Sequence, residues 1–336
     1  MNLNKVSVIA EVGVNHNGKI SYAKKLILIA KKAGADFVKF QTFKADNLVQ
    51  KKSKLATYQK NNTNLKSQYQ LLKKLELSEI QHKIIINFCK KNKIKFLSTP
   101  FDLESLDLLR RLKLRIIKIS SSDINNYPLL EDISKFAKKV ILSTGMSNIL
   151  EIKNAIRILK KNNLKDKDII VLHCTTSYPV YPNDANILAI NFLRKKLKNH
   201  IGYSDHTLGN EAALAAVTLG AKVIEKHITL NKNLIGPDHK ASLDPKEFFK
   251  FIFSIRKLEK ILGKEKKFLT STERKIKKIA RKSIVAKNII SKGEIFTINN
   301  ITCKRPEGGI SPIYWDKIIG KKSNSYFAVD DFINLK

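Results

Sequence analysis

An eight-stranded (β/α) barrel followed by a small β-rich unit is the fold class that this sequence predicts. Eight short β-rich runs alternate with helical patterns through the first 262 residues, and every run ends in polar or ionisable side chains. After that the composition shifts to a basic, polar stretch and then to short β runs punctuated by glycine turns. A chain of 336 residues is long enough to bury one large core and a second small one.

The first run, Val6–Ala10, passes through the polar turn Asn15-His16-Asn17-Gly18 into a helical pattern over Tyr22–Ala33, which Gly34-Ala35 closes. His16 reads equally as a ligand donor and as part of the turn. Phe37–Phe40 is the second strand. The Lys/Asn/Gln-rich insertion Phe43–Leu77 that follows is read as a disordered loop or as a lid over the active face. Helix Ser78–Lys91 leads to strand Ile94–Leu97, and helix Leu103–Leu112 to strand Ile116–Ile119. Val140–Leu142 is the fifth strand, and helix Asn148–Lys160 separates it from Ile169–Leu172. Helix Ala185–Leu197, strand Asn199–Tyr203, the small-residue helix Glu211–Leu219, strand Lys222–Glu225 and a closing helix over Pro245–Leu262 complete the alternation. The expected division is therefore a barrel over 1–262, a connection over 263–281, and a β-rich unit over 282–336.

Composition narrows the function. Lys+Arg number 64 against 29 Asp+Glu, a net charge of +35, yet the lysines are spread along nearly every helix without interleaved aromatic residues. That is a residue-usage bias rather than a nucleic-acid-binding stripe, so neither nucleic acid nor membrane is an expected partner. Cys89, Cys174 and Cys303 are odd in number, far apart and lack CxxC spacing, which argues against a disulfide framework and for the cytoplasm. Met1–Val14 has no signal-peptide pattern, and no apolar run is long enough to span a bilayer.

In such barrels the chemistry sits at the C-terminal ends of the strands. Those ends carry Glu11, Lys39 with Gln41, Ser98 with Thr99, Lys118 with Ser120, Ser121 and Asp123, Ser143 with Thr144, His173, Ser204 with His206, and Glu225 with His227. Two lysines among several hydroxyls suit a small molecule bearing a phosphate and a carboxylate. His206 and His227, at the ends of neighbouring strands, read either as strand-capping histidines or as ligands of one divalent metal, with Asp205 and Glu225 orienting them from behind. Glu11 and Asp238 would serve a hydroxylated substrate or move protons. In the last unit, the loop Lys304-Arg305-Pro306-Glu307-Gly308-Gly309 presents an arginine that could reach a neighbouring active site or simply be solvated.

The motifs together resemble the sialic acid synthase family. The stretches that carry the resemblance are Ala10-Glu11-Val12-Gly13-Val14-Asn15-His16-Asn17-Gly18, Val38-Lys39-Phe40-Gln41-Thr42-Phe43, Leu97-Ser98-Thr99-Pro100-Phe101-Asp102, Leu142-Ser143-Thr144-Gly145-Met146, Tyr203-Ser204-Asp205-His206-Thr207, Glu225-Lys226-His227 and Gly236-Pro237-Asp238-His239. Arg281 to Lys287 and Lys304-Arg305-Pro306 resemble that family's antifreeze-like (SAF) module, of β-clip type.

The resemblance implies condensation of phosphoenolpyruvate with an N-acylated mannosamine-type sugar to give a nonulosonic acid and phosphate. The sugar would be N-acetylmannosamine or a 2,4-diacetamido-6-deoxy mannose. It places phosphoenolpyruvate on Lys39, Gln41, Thr99, Lys118, Ser121, Ser143 and Ser204, the sugar on Glu11, Tyr178, Asp238 and Arg305, and Mn²⁺ or another divalent ion on His206 and His227. Glu11, Lys118 and Asp238 are the catalytic candidates, and Arg305 would come from the other subunit of a domain-swapped homodimer. Two departures stand out: Ser122 and Asp123 replace the family's glycine and glutamate, and Thr176 stands where some members carry asparagine. Two other classes fit parts of the chain, a Schiff-base aldolase using Lys39 or Lys118 and a basic nucleic-acid binder.

Overall fold

Short runs of β-branched and aromatic residues that are apolar on both faces suit parallel strands covered on both sides. The computed structural model, which describes residues 5–55, 65 and 67–335, folds them that way. Strands β1 (Ser7–Gly13), β2 (Phe37–Thr42), β3 (Lys95–Pro100), β4 (Ile116–Ile119), β5 (Lys139–Ser143), β6 (Ile169–Cys174), β7 (His200–Asp205) and β8 (Val223–His227) form one parallel sheet. Its hydrogen-bonded order is β3-β2-β1-β8-β7-β6-β5-β4. The two ends of that order, β3 and β4, lie against each other, so the sheet curls into a (β/α)8 barrel.

Side-chain alternation explains what fills it. Ile9, Phe37, Leu97, Ile141, Ile170, Leu172 and Val223 point inward and form a separate apolar plug, with Ile116 beside it. Their outward neighbours, among them Val8, Val38, Phe40, Ile117, Val140 and Val171, pack on the helices in the main core. Gly202 occupies the inward position of β7 because nothing larger fits: a Cβ there would lie 2.5 Å from both Leu172 Cδ2 and the Val223 carbonyl oxygen. One step beyond the plug, the same alternation sets Glu11, Lys39, Thr99, Lys118, Ser143, Cys174, Ser204 and Glu225 around the barrel mouth.

The strands differ from expectation mainly at their C-terminal ends. Seven of the eight end one to three residues later than hydrophobicity suggests, because polar residues such as Lys39, Thr99 and Ser204 stay in register in the ladder. The helix Tyr127–Phe136 escapes periodicity because it is short; Asn126 caps it and a proline sits in its first turn. Helix Ile20–Ala33 ends where Gly34 adopts φ 94° and closes the last turn onto Ala30 and Lys31.

The insertion after β2 is a cover rather than a structureless loop over its described part. Its described residues include two helices, Ala45–Leu48 and Gln68–Leu75; residues 56–64 and 66 lie outside the described residues. Val14, Phe43, Leu55, Leu71 and Leu75 form its own small core. Lys73 pairs with Asp46 at 2.9 Å, and Tyr69 donates to the same carboxylate at 2.8 Å, tying one cover helix to the other.

The chain divides into two compact units, residues 1–263 and 264–336. In the second, helix Ser271–Ala280 precedes an antiparallel pair, β9 (Ser283–Ala286) and β10 (Ile301–Lys304). Ile284, Ala286, Ile290, Phe296, Ile301, Ile318, Phe327 and Ile333 make its core. Gly293–Thr297, one of the short β runs of this unit, contributes an isolated bridge between Ile295 and Lys322. Among the described residues no helix is long and apolar enough to cross a membrane.

Candidate active site

A cavity of about 390 Å³ opens at the C-terminal ends of the barrel strands. That volume lies within the range of about 300–1,000 Å³ typical of small-molecule sites. Its floor is a quartet of buried charges. Lys39 Nζ lies 2.8 Å from Glu11 Oε2 and 3.7 Å from Glu225 Oε2, and Lys118 Nζ lies 3.9 Å from Glu225 Oε1. Lys39 also donates to Thr99 Oγ1 at 3.2 Å, and Lys118 to Ser143 Oγ at 2.6 Å and the Ile119 carbonyl at 3.0 Å. Each buried ion loses several kcal/mol of hydration, so the two cations and two anions stand only as mutual partners.

The quartet sorts its protons unevenly. Burial pushes the Glu11 carboxyl up to about 7, against the pull of Lys39 and with the help of Glu225. Burial also works against ionised Glu225, but Lys118 and Lys39 outweigh it and hold that carboxyl below its usual value. Burial lowers the Lys118 ammonium, whereas at Lys39 the two carboxylates overcome burial and raise it. One carboxyl is thus poised to exchange a proton near neutrality while its neighbour stays charged.

On one side of the mouth stand the two imidazoles, with ring centroids 5.6 Å apart. His206 Nδ1 donates to the Thr175 carbonyl at 2.8 Å, and Ser204 Oγ donates to Glu225 at 3.0 Å. Ser204 Oγ also lies 3.4 Å from His206 Nε2, but with its one proton on the shorter bond to Glu225 it leaves that nitrogen's lone pair available. His227 is buried with its Nδ1 unmatched by any hydrogen-bond partner. Burial lowers both rings, His227 far below the ordinary histidine value, so both are neutral near pH 7. Tyr178 packs on both, 4.3 Å from His206 and 5.8 Å from His227 between centroids.

Two neutral imidazoles, one with an orphaned buried nitrogen, are the donor set that a divalent ion takes, so the residues present fit such an ion. Among the described residues no group of three or more His, Cys, Asp or Glu is arranged to hold a metal. The carboxylates of Glu11 and Glu225 are paired with Lys39 and Lys118.

The loops complete the rim. Asp238 lines the cavity, and burial raises its carboxyl to about 6, partly offset by Lys39. Its main-chain carbonyl accepts from Ser242 Oγ at 2.6 Å, and Asn15 Nδ2 donates to that same Oγ at 2.8 Å. His239 Nε2 donates to Asn17 Oδ1 at 3.1 Å, so the polar turn after β1 braces the loop that carries Asp238. His16 serves the turn: it is buried, its Nδ1 accepts from the Gly18 amide at 3.0 Å, and it does not line the cavity. Gly145 marks a close approach: its amide donates to Ser121 Oγ at 2.9 Å, and a Cβ would meet Thr176 Oγ1 at 2.1 Å.

Of the expected residues, Glu11, Lys39, Gln41, Thr99, Lys118, Ser121, Ser143, Tyr178, Ser204, His206, His227 and Asp238 all line this one cavity. Arg305 is exposed on the loop after β10 in the second unit. Several strand-end readings need correction. Asp205 does not orient the imidazoles: it points to the outer face of β7, 2.8 Å from Lys226 Nζ, both fully buried, and accepts from Thr207. His173 likewise faces outward, donating to the Ala185 carbonyl at 2.9 Å and stacking on Tyr203.

Cys174, the inward residue of β6, takes the place in the cavity expected of His173. Counting parity from Ile170 and Leu172 would have found it. Asp123 is buried and accepts from Ser120 and from Asn126 at 3.0 Å, so it braces its own turn while Ser120 and Ser122 face the cavity. The cover contributes Leu48, Val49, Gln68, Leu71, Leu72 and Leu75, which no motif announces.

Residues 26–267 match the NeuB family and residues 281–334 the SAF domain. The chain is 51% identical over 332 residues to the N,N'-diacetyllegionaminic acid synthase of Campylobacter jejuni, covering 98% of this chain and 99% of that protein. It is 42% identical to the enzyme of the same name from Legionella pneumophila, over 94% of this chain and 89% of that one. A crystal structure of an N-acetylneuraminic acid (sialic acid) synthetase from Leptospira borgpetersenii in complex with citrate superposes with a TM-score of 0.72 at 36% identity, covering 82% of this chain and 91% of that chain.

Proposed function

Because the chain belongs to the NeuB family, we propose that it condenses phosphoenolpyruvate with an N-acylated mannosamine-type sugar, releasing phosphate and forming a nonulosonic acid. The relatives named as legionaminic and sialic acid synthases support the class of reaction. The observation that carries it to this chain is one cavity holding two lysines, a fringe of hydroxyls and a pair of neutral imidazoles. We assign the barrel, residues 1–262, as the catalytic domain, 263–281 as the linker and 282–336 as the SAF domain.

Lys39 and Lys118, with Thr99, Ser121, Ser143, Ser204 and Gln41, hold the phosphate and carboxylate of phosphoenolpyruvate and keep its C3 facing the acceptor. His206 and His227 hold a divalent ion, Mn²⁺ or similar, and such an ion supplies Lewis-acid polarisation of the sugar's aldehyde oxygen. The C3 carbon bonds to the aldehyde carbon, whose oxygen takes up a proton. Water then adds to the electron-poor C2, and cleavage of the C2–O bond expels phosphate and leaves the keto group. Glu11, poised near neutrality, accepts the proton of the attacking water, while Asp238 and Tyr178 position the sugar. Alignment of the two substrates supplies on the order of 7–11 kcal/mol of the barrier. We assign Arg305 to the sugar's N-acyl group in the partner subunit of a domain-swapped homodimer.

Incubating the protein with phosphoenolpyruvate, Mn²⁺ and N-acetylmannosamine or a 2,4-diacetamido-6-deoxy mannose tests this. Phosphate release matched by sugar consumption is expected, and its absence with both sugars ends the proposal. A Schiff-base mechanism is the second reading, favoured by the lowered ammonium of Lys118. Borohydride trapping of a substrate adduct on Lys118 would establish it in place of the metal-assisted route.

A further inference from the structure

The ladder between the two histidine-bearing strands stops short of the histidines. Its last register between β7 and β8 is Asp205 opposite Lys226, and His206 and His227 each follow one residue later. Main-chain pairing of the two strands with each other therefore does not reach the residues that carry the imidazoles.

Side chains on the outer face of the barrel continue the link. Lys226 Nζ lies 2.8 Å from Asp205 Oδ2 and donates to the Thr207 carbonyl at 2.5 Å. It thus ties the residue before His227 to the residue after His206. Asp205 Oδ1 accepts from the Thr207 amide at 2.9 Å and from the Thr207 hydroxyl at 2.7 Å, which closes Asp205-His206-Thr207 into a turn with His206 at its apex. None of these bonds involves an imidazole, and the His206 ring takes its orientation from the Thr175 carbonyl instead. What they fix is main chain, and through it the distance between the two histidines.

Stability does not account for the two charges. Both side chains are fully buried, and the outward positions just before them, Ile201, Tyr203 and Ile224, are apolar and pack in the main core. Replacing a buried ion pair by apolar residues of similar size is often neutral or stabilising. The charges supply what an apolar pair could not, directed bonds onto Thr207 from both strands.

We propose that Lys226, with Asp205 as its counter-ion, is a positioning residue that sets the spacing of His206 and His227 and so tightens their hold on a divalent ion. This inference rests on the metal assignment made above, and goes beyond it by naming what fixes the two ligands relative to each other.

The test titrates metal-free protein with Mn²⁺, reading free Mn²⁺ by its paramagnetic resonance signal, and measures the KM for phosphoenolpyruvate at saturating Mn²⁺. Asp205→Leu/Lys226→Met removes both charges together and is expected to raise the Kd for Mn²⁺ by about 10–100-fold. Saturating Mn²⁺ should restore its kcat and leave the KM for phosphoenolpyruvate unchanged, because Lys39 and Lys118 stand on other strands. Asp205→Asn/Lys226→Met keeps an acceptor for the Thr207 amide, so it should weaken Mn²⁺ less, by about three- to tenfold, and it serves alone if the first variant does not fold. A wild-type Kd in whichever double variant folds, or a Kd and a phosphoenolpyruvate KM that rise together, overturns the inference while the metal assignment stands. A wild type that binds no Mn²⁺, or a His206→Ala variant that binds it equally well, overturns the metal assignment and the inference with it.

Discussion

Glu11 Oε2 and Lys39 Nζ, 2.8 Å apart and buried on adjacent strands of the barrel, form the ion pair on which the floor of the cavity is built. The pair is unequal. Lys39 keeps its proton under the pull of two carboxylates, while burial leaves the Glu11 carboxyl half-ionised at about 7. A group that holds its proton below that pH and releases it above can act as a base only in its ionised form.

The rate should therefore rise with pH through about 7. In kcat/KM, which reports the free enzyme, Glu11→Gln is expected to remove that break and to lower the rate about 10²–10⁴-fold. An unchanged profile in the variant would transfer the proton work to another residue.

The imidazole pair makes a separate prediction. Both rings are neutral near pH 7 and one carries an orphaned nitrogen, so a divalent ion should bind there and protect the fold. Excess chelator should abolish turnover and Mn²⁺ restore it. Titrating Mn²⁺ should raise the wild-type melting temperature, and His206→Ala or His227→Ala should lose that shift. A full shift in either variant would place the ion elsewhere.

Asp238 is held in a form that favours the fold at low pH. Its folded pKa, raised to about 6 from 3.8, means its contribution is fully present below 3.8 and is lost as the pH rises through 6. Asp238→Asn keeps the shape without the ionisation. The variant should be more stable than the wild type above pH 6, by up to a few kcal/mol, and no more stable near pH 4. Denaturant melts at the two pH values check the sign, and assays of the same variant should show a loss of activity.

These groups also show what the sequence made legible. The barrel and nearly all of its mouth could be read from strand ends, because a parallel strand places every second residue on one face and the charged ones have nowhere else to go. The errors arose where that parity was not counted: His173 and Asp205 stand one residue out of phase with Cys174 and Ser204, and so belong to the outer face. Asp123 and the cover leucines were illegible for another reason. Whether a carboxylate braces its own turn or faces a ligand, and where an inserted helix docks, depend on contacts between segments distant in the chain.

Arg305 is the remaining assignment, and it is separable from the others. It is exposed on the loop after β10, outside the core of its unit, so Arg305→Ala should cost that unit well under 1 kcal/mol. If the arginine reaches the N-acyl group of a sugar in the partner subunit, the substitution should raise the KM for the sugar tenfold or more and leave the KM for phosphoenolpyruvate alone. Mixing Arg305→Ala with a subunit disabled at Glu11 adds a stricter check. In the mixed dimer the Glu11→Gln site receives the intact arginine from no useful partner, whereas the intact Glu11 site receives Arg305 from the Glu11→Gln subunit. Mixing should then restore wild-type sugar affinity to the surviving sites, an outcome that an arginine acting within its own subunit could not produce.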